Sequence, residues 1–123
     1  MSRLKQHWRG APLALWLIVV GWTAVFATYA ILRFDRFNAS LYDLAIKTQV
    51  IWNTANGRFF GSSVEVEQYL GDHVQIIFLL FAPLYRLLPD PRLLLFLQAA
   101  ILCLGAIPAY RLARKRLPSA TAF

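Results

Sequence analysis

The sequence predicts an all-α membrane protein: two transmembrane helices form a hairpin with both chain ends in the cytoplasm, and two juxtamembrane helices occupy the outer loop between them. Three observations predict it. Two long runs carry no charged residue, basic residues crowd both chain ends while every acidic residue lies between the runs, and the loop contains a segment with helical apolar spacing. Of the 123 residues, 59% are hydrophobic and only 15% charged, too few polar groups to cover a soluble domain of this size.

The first span is expected at 11–32, after a cytoplasmic tail at 1–10. Its 22 uncharged residues reach about 33 Å as a helix, enough for a hydrocarbon layer of roughly 30 Å. Pro12 falls in the first turn, where a missing N–H costs nothing. Arg3, Lys5 and Arg9 precede the run, and no small-residue cleavage site closes it, so it reads as an uncleaved signal anchor. Gly21, Ala24 and Thr28 share one side and offer a close-packing face to another helix.

The second span is expected at 92–112, around the uncharged run 93–110, with a cytoplasmic tail at 113–123. Pro108 should bend its end, and Gln98, its one strongly polar side chain, should hydrogen-bond to a neighbouring helix. Cys103 reads as a small apolar side chain; a single cysteine also excludes an intrachain disulfide or thiolate cluster.

The outer loop, 33–91, should hold helices at about 41–56 and 74–88. In the first, Leu41, Leu44, Ala45, Thr48, Ile51, Trp52 and Ala55 fall on one face, with Asp43, Lys47, Asn53 and Thr54 mostly on the other. Ser40 and Asp43 fit a capping box, Asn56-Gly57 fits a stop, and Trp52 fits an interface anchor. The second is apolar enough to tempt a third span, but its 15 residues reach only about 22 Å and Pro83 interrupts them.

Charge decides the topology. Three basic residues precede the first uncharged run and four follow the second (Arg111, Arg114, Lys115 and Arg116), whereas the six basic and six acidic residues from Arg33 to Arg92 cancel. Two spans put both basic tails inside; three would put Arg111, Arg114, Lys115 and Arg116 outside. Residues 74–88 are therefore read as an interfacial or re-entrant helix. The net charge of +7 lies beside apolar runs, where it sets topology and meets anionic lipid rather than nucleic acid.

Three motifs make the chain resemble a known family. They are Tyr42-Asp43-Leu44-Ala45 with Gln49-Val50-Ile51-Trp52-Asn53-Thr54-Ala55-Asn56-Gly57 and Ser62-Ser63; Gly71-Asp72-His73 leading to Phe81-Ala82-Pro83-Leu84-Tyr85; and Leu104-Gly105-Ala106-Ile107-Pro108-Ala109-Tyr110. Over about residues 10–117 these resemble the beginning of an uncharacterised family of bacterial polytopic membrane proteins, itself similar to GT-C glycosyltransferases. The resemblance implies a cytoplasmic-membrane protein using a polyprenyl-phosphate sugar donor, with a general base in the first outer loop. Asp43 would be that base, with Asp72 and His73 nearby, because a carboxylate can take the acceptor hydroxyl's proton. Arg58 would balance the phosphate leaving group.

Other roles compete with these. Asp43 suits the N3 position of a capping box, Asp72 an N-cap for the helix at 74, and His73 an interfacial aromatic. Asp72 and His73 with distant Glu65 or Glu67 lack regular ligand spacing, so no cofactor is indicated and a divalent metal is unsupported. The family often has a second acidic residue where this chain has Thr48.

Two spans cannot enclose a lipid-linked sugar, so the expected partners, beyond the bilayer, are other membrane helices or subunits. Two functions follow: the N-terminal module of a GT-C-like glycosyltransferase, or a small accessory subunit of a larger membrane complex. Half of an oligomeric transporter would require paired intramembrane charges that the runs lack.

Overall fold

A computed structural model describes residues 12–38, 41–64, 69–71 and 74–116. They form five α-helices: α1 (Leu13–Asp35), α2 (Leu41–Ala55), α3 (Phe78–Leu87), α4 (Pro91–Leu104) and α5 (Ala106–Arg116), with a 3₁₀ turn at Tyr69–Gly71. No extended strand occurs among the described residues. The chain divides into two compact units, one of residues 29–97 and one of residues 1–28 with 98–123.

Helix α1 has 23 residues and is long and apolar enough to cross a membrane, as is the 26-residue stretch Pro91–Arg116 formed by α4 and α5. Only 11% of each apolar window is buried, so these helices turn apolar surface outward instead of forming a core. Helix α1 runs three residues past the expected end and stops in a Schellman motif. The Asn38 amide donates to the Arg33 carbonyl at 2.9 Å and the Phe37 amide to that of Phe34 at 3.0 Å. Phe37 takes the left-handed conformation (φ 53°) usually left to glycine. The Arg33 guanidinium braces this turn by donating twice to the Asn38 carbonyl, at 3.0 and 2.7 Å.

The second apolar stretch also outruns its expected bounds, and its bend lies at Gly105 rather than at its end. Pro108 cannot donate to the Leu104 carbonyl, so the ladder loses a bond just where α4 gives way to α5. At its start, Asp90 caps α4: its Oδ1 accepts the Arg92 amide at 2.8 Å, and Pro91 takes the first helical position.

The 29–97 unit holds the main core. Ile46, Val50 and Ile51 of α2 pack with Phe60, Tyr69, Phe78 and Tyr85, and Phe81, Leu93 and Leu94 lean on this cluster. Tyr69 and Phe78 stack with ring centroids 5.8 Å apart. Two expectations are corrected here. The buried face of α2 is Ile46, Val50, Ile51 and Thr54, so Thr54 lies inside while Ala45 and Trp52 of the expected apolar face are exposed. Helix α3 begins at Phe78, four residues after its expected start, with Ile77 as its N-cap and no side-chain cap among the described residues. Val74, Ile76 and Ile77 are β-branched and enter the helix poorly; the amides of Phe78, Leu79 and Leu80 instead make i−3 bonds of 3.0–3.1 Å.

Pro83 does not interrupt α3. Both Pro83 and Leu79, whose carbonyl loses its donor, lie on the exposed side.

In the other unit Val19 of α1 and Ala99 of α4 are buried, as is Ala27. Gly21 has open space where a Cβ would stand, and Ala24, Thr28 and Gln98 are exposed, so the small-residue face of α1 points away from this unit's own packing.

Candidate functional site

Helix α2 frames the region where the candidate residues gather. Its C-terminal end is fixed by Gly57 at φ 88°: the Arg58 amide donates to the Asn53 carbonyl at 2.8 Å and the Gly57 amide to that of Thr54 at 3.2 Å. The stop expected at Asn56-Gly57 is therefore present, and the helix ends at Ala55.

The chain then folds back along α2, held by three polar side chains, at 49, 53 and 54, in the last two turns of the helix. Thr54 Oγ1 donates to the Val50 carbonyl at 2.7 Å and accepts the Phe60 amide at 3.0 Å. Asn53 Nδ2 donates to the Gly61 carbonyl at 2.8 Å. Gln49 meets Ser63 twice, Nε2 donating to Oγ at 2.6 Å and Oε1 accepting the amide at 3.1 Å. These bonds satisfy loop groups that no helix or sheet serves, and they let Phe60 enter the core at a left-handed φ of 53°. The motif positions Gln49, Asn53, Thr54, Gly57 and Ser63 thus build the loop. Their polar character concealed this in the helical pattern; its signal was the recurrence of amide and hydroxyl side chains at 49, 53 and 54 before a glycine.

Beside this clamp lies an apolar pocket of 660 Å³, walled by Leu44, Thr48 and Trp52 of α2, Tyr85 of α3, Phe34 near the end of α1 and Pro91 at the start of α4. Among the described residues no charged side chain lines it. Burial pushes the pKa of the Tyr85 phenol up from its ordinary value, the Asp90 carboxylate adds to the rise, and the Thr48 hydroxyl offsets part of it. Thr48 Oγ1 is itself buried and meets no partner at hydrogen-bonding geometry among the described residues, although it lies close to the Tyr85 hydroxyl.

The rim is held by an ion pair unforeseen in the sequence. Arg92 Nη2 donates to Asp35 Oδ1 at 2.6 Å and Nε to the same oxygen at 3.0 Å, while Nη1 reaches Asp90 Oδ2 at 3.3 Å. The Arg92 guanidinium also lies over the Phe34 ring, 5.5 Å from its centroid. The end of α1 and the start of α4 are thereby tied together across 57 residues of chain. An acid near the start of the loop and a base just after its end were the only trace of this pairing in the sequence.

Asp43 stands in the first turn of α2, exposed and without a hydrogen bond or ion pair among the described residues. Arg58 is also exposed, just beyond the opposite end of the helix. Twelve residues of helix separate position 43 from the last residue of α2, about 18 Å along the axis, so the fold does not bring Asp43 and Arg58 together. Asp72 and His73 lie outside the described residues, as do Glu65, Glu67 and the Ser40 of the expected capping box. Among the described residues no group of three or more His, Cys, Asp or Glu side chains is placed to hold a metal ion.

A family model described as "Predicted membrane protein (DUF2079)" matches residues 33–123. No curated protein and no solved structure matches the chain.

Proposed function

We propose, from the premise that the chain belongs to the DUF2079 family of predicted membrane proteins, that it is the membrane-entry module of a GT-C-like glycosyltransferase using a polyprenyl-phosphate sugar. In this reading α1 and the Pro91–Arg116 stretch cross the bacterial cytoplasmic membrane as a hairpin, with both basic ends inside and residues 33–91 outside. Asp43 accepts the proton of an acceptor hydroxyl as its oxygen bonds to the anomeric carbon, and the polyprenyl phosphate departs with the electrons of the broken C–O bond.

The observation that carries this reading is the state of Asp43: a carboxylate on a firmly packed helix, exposed and with no partner among the described residues to occupy its lone pairs. Asp43 is the only residue of the described set to which we assign chemistry. Arg58 would meet the phosphate only of a ligand laid along the length of α2, and Asp72 and His73 would complete the site from the adjoining segment.

Asp43→Asn tests it. Transfer from a polyprenyl-phosphate sugar, assayed in membranes, should be abolished while the amount of inserted protein stays the same. Unchanged transfer removes Asp43 from the chemistry.

A second reading, an accessory subunit of a larger membrane complex, is favoured by the outward face of α1. Leu17, Val20, Trp22, Val25 and Phe26 are exposed beside an uncovered Gly21, a surface suited to other helices. It predicts co-purification with larger subunits in mild detergent; a stable solitary monomer argues against it.

A further inference from the structure

We infer that a second, polar pocket at the C-terminal end of α1 binds the phosphate headgroup of an anionic membrane lipid. The pocket has a volume of 440 Å³ and is lined by Tyr29, Leu32, Arg33, Arg36 and Asn38. The first four stand at i, i+3, i+4 and i+7, so the helix itself brings them to one face.

The two arginines are prepared for an anion. The Arg33 guanidinium lies over the Tyr29 ring, 5.8 Å from its centroid, and gives two N–H donors to the Asn38 carbonyl. Its other N–H groups have no partner among the described residues, and neither has the exposed side chain of Arg36. A guanidinium fixed in advance loses little freedom on binding and offers phosphate a planar fork of donors.

Negative charge is kept off this face. Asp35, the one acidic residue of α1, gives its carboxylate to Arg92 at 2.6 Å. The carbonyls of Leu32, Arg33 and Phe34, which would make the helix end repel an anion, accept the amides of Arg36, Asn38 and Phe37.

Position and charge together identify the ligand. From Leu13 to Leu32, α1 carries no charged residue, so Arg33 and Arg36 stand where its apolar surface ends. In a helix that crosses a membrane, that is the level of the lipid phosphates. Among the described residues no carboxylate lines the pocket to receive the ammonium of a zwitterionic headgroup, whereas two guanidiniums await a phosphate. The site requires α1 to lie in a membrane, but it is independent of the transferase reading, since Asp43 is not among its residues.

The test is photo-crosslinking of the full chain in phosphatidylcholine nanodiscs that contain phosphatidylglycerol with a diazirine in its headgroup. Label should map to residues 29–38, should saturate, and should be competed by unlabelled phosphatidylglycerol. Arg36→Gln should lower it about fivefold, the worth of one basic side chain at a charged membrane surface, and leave label at 111–116 unchanged. Label at 29–38 that R36Q retains in full, or that a phosphatidylcholine carrying the same diazirine reproduces, overturns the site. Displacement of the label by inorganic phosphate as readily as by phosphatidylglycerol would overturn the membrane source of the ligand.

Discussion

The Thr54 hydroxyl accepts the backbone amide of Phe60 at 3.0 Å, and through that bond a buried aromatic residue at positive φ is held in the core of the 29–97 unit. Thr54→Val keeps the shape of the side chain and removes the acceptor. A buried N–H is then left unpaired, which costs about 1–3 kcal/mol. Chemical unfolding of the full chain in mild detergent should show that loss, with Thr54→Ser retaining most of the stability. A T54V protein as stable as the wild type would show that the clamp contributes nothing.

Tyr85 should make the fold sensitive to alkali. Its phenol pKa is raised in the folded state by burial, so the folded chain holds a proton that the unfolded chain releases near its ordinary pKa of about 10. The sign follows: the contribution is complete below that pH and declines as pH rises through the folded value. Tyr85→Phe should therefore lose less stability than the wild type above that point, and phenolate absorbance should show one late-titrating tyrosine missing from the variant. Identical alkaline profiles would contradict the shift.

Arg92 and Asp35 are both partly exposed, so their pairing should weaken with salt. Asp35→Arg sets two cations against each other where α1 ends and α4 begins. Hydrogen exchange in nanodiscs should quicken in the amides of residues 33–38 and 91–94. The reversed pair, D35R with R92D, should recover part of the protection; the recovery is partial because Asp90 loses its own contact with Arg92. No recovery would mean the ion pair does not join these ends.

The hairpin has its own measurement. A periplasmic phosphatase fused after Gly61 should be active and one fused after Arg116 inactive. Activity at the second position would require three crossings and would return residues 74–88 to the role of a span.

The long elements were legible because lipid demands an unbroken apolar run, and the glycine stop of α2 because few residues accept φ 88°. The inward face of α2 was not. Its pattern ranks Thr54 and Asn53 as outward residues, yet both turn toward the loop that they hold, and a three-dimensional hydrogen bond outweighs a side chain's preference for water. The turn at Phe37 was hidden for a similar reason, since a bulky residue at positive φ follows from bracing by Arg33 and not from its own leaning. The start of α3 slipped by four residues because apolar content says nothing of β-branching. Of the candidate site, Asp43 fell where expected in its helix, whereas the pocket and the Asp35–Arg92 tie required chain segments far apart in sequence to meet.

The rung that Pro108 withholds from the Leu104 carbonyl, beside the break at Gly105, divides the second apolar stretch into two rods, α4 and α5. Membranes differ in thickness, and a rigid rod can answer only by tilting as a whole. If the stretch crosses a bilayer, as we propose, the break lets the arginine-bearing terminal rod tilt separately from α4. One end of the helix would then follow the bilayer's thickness while the other stayed with its cap at Asp90.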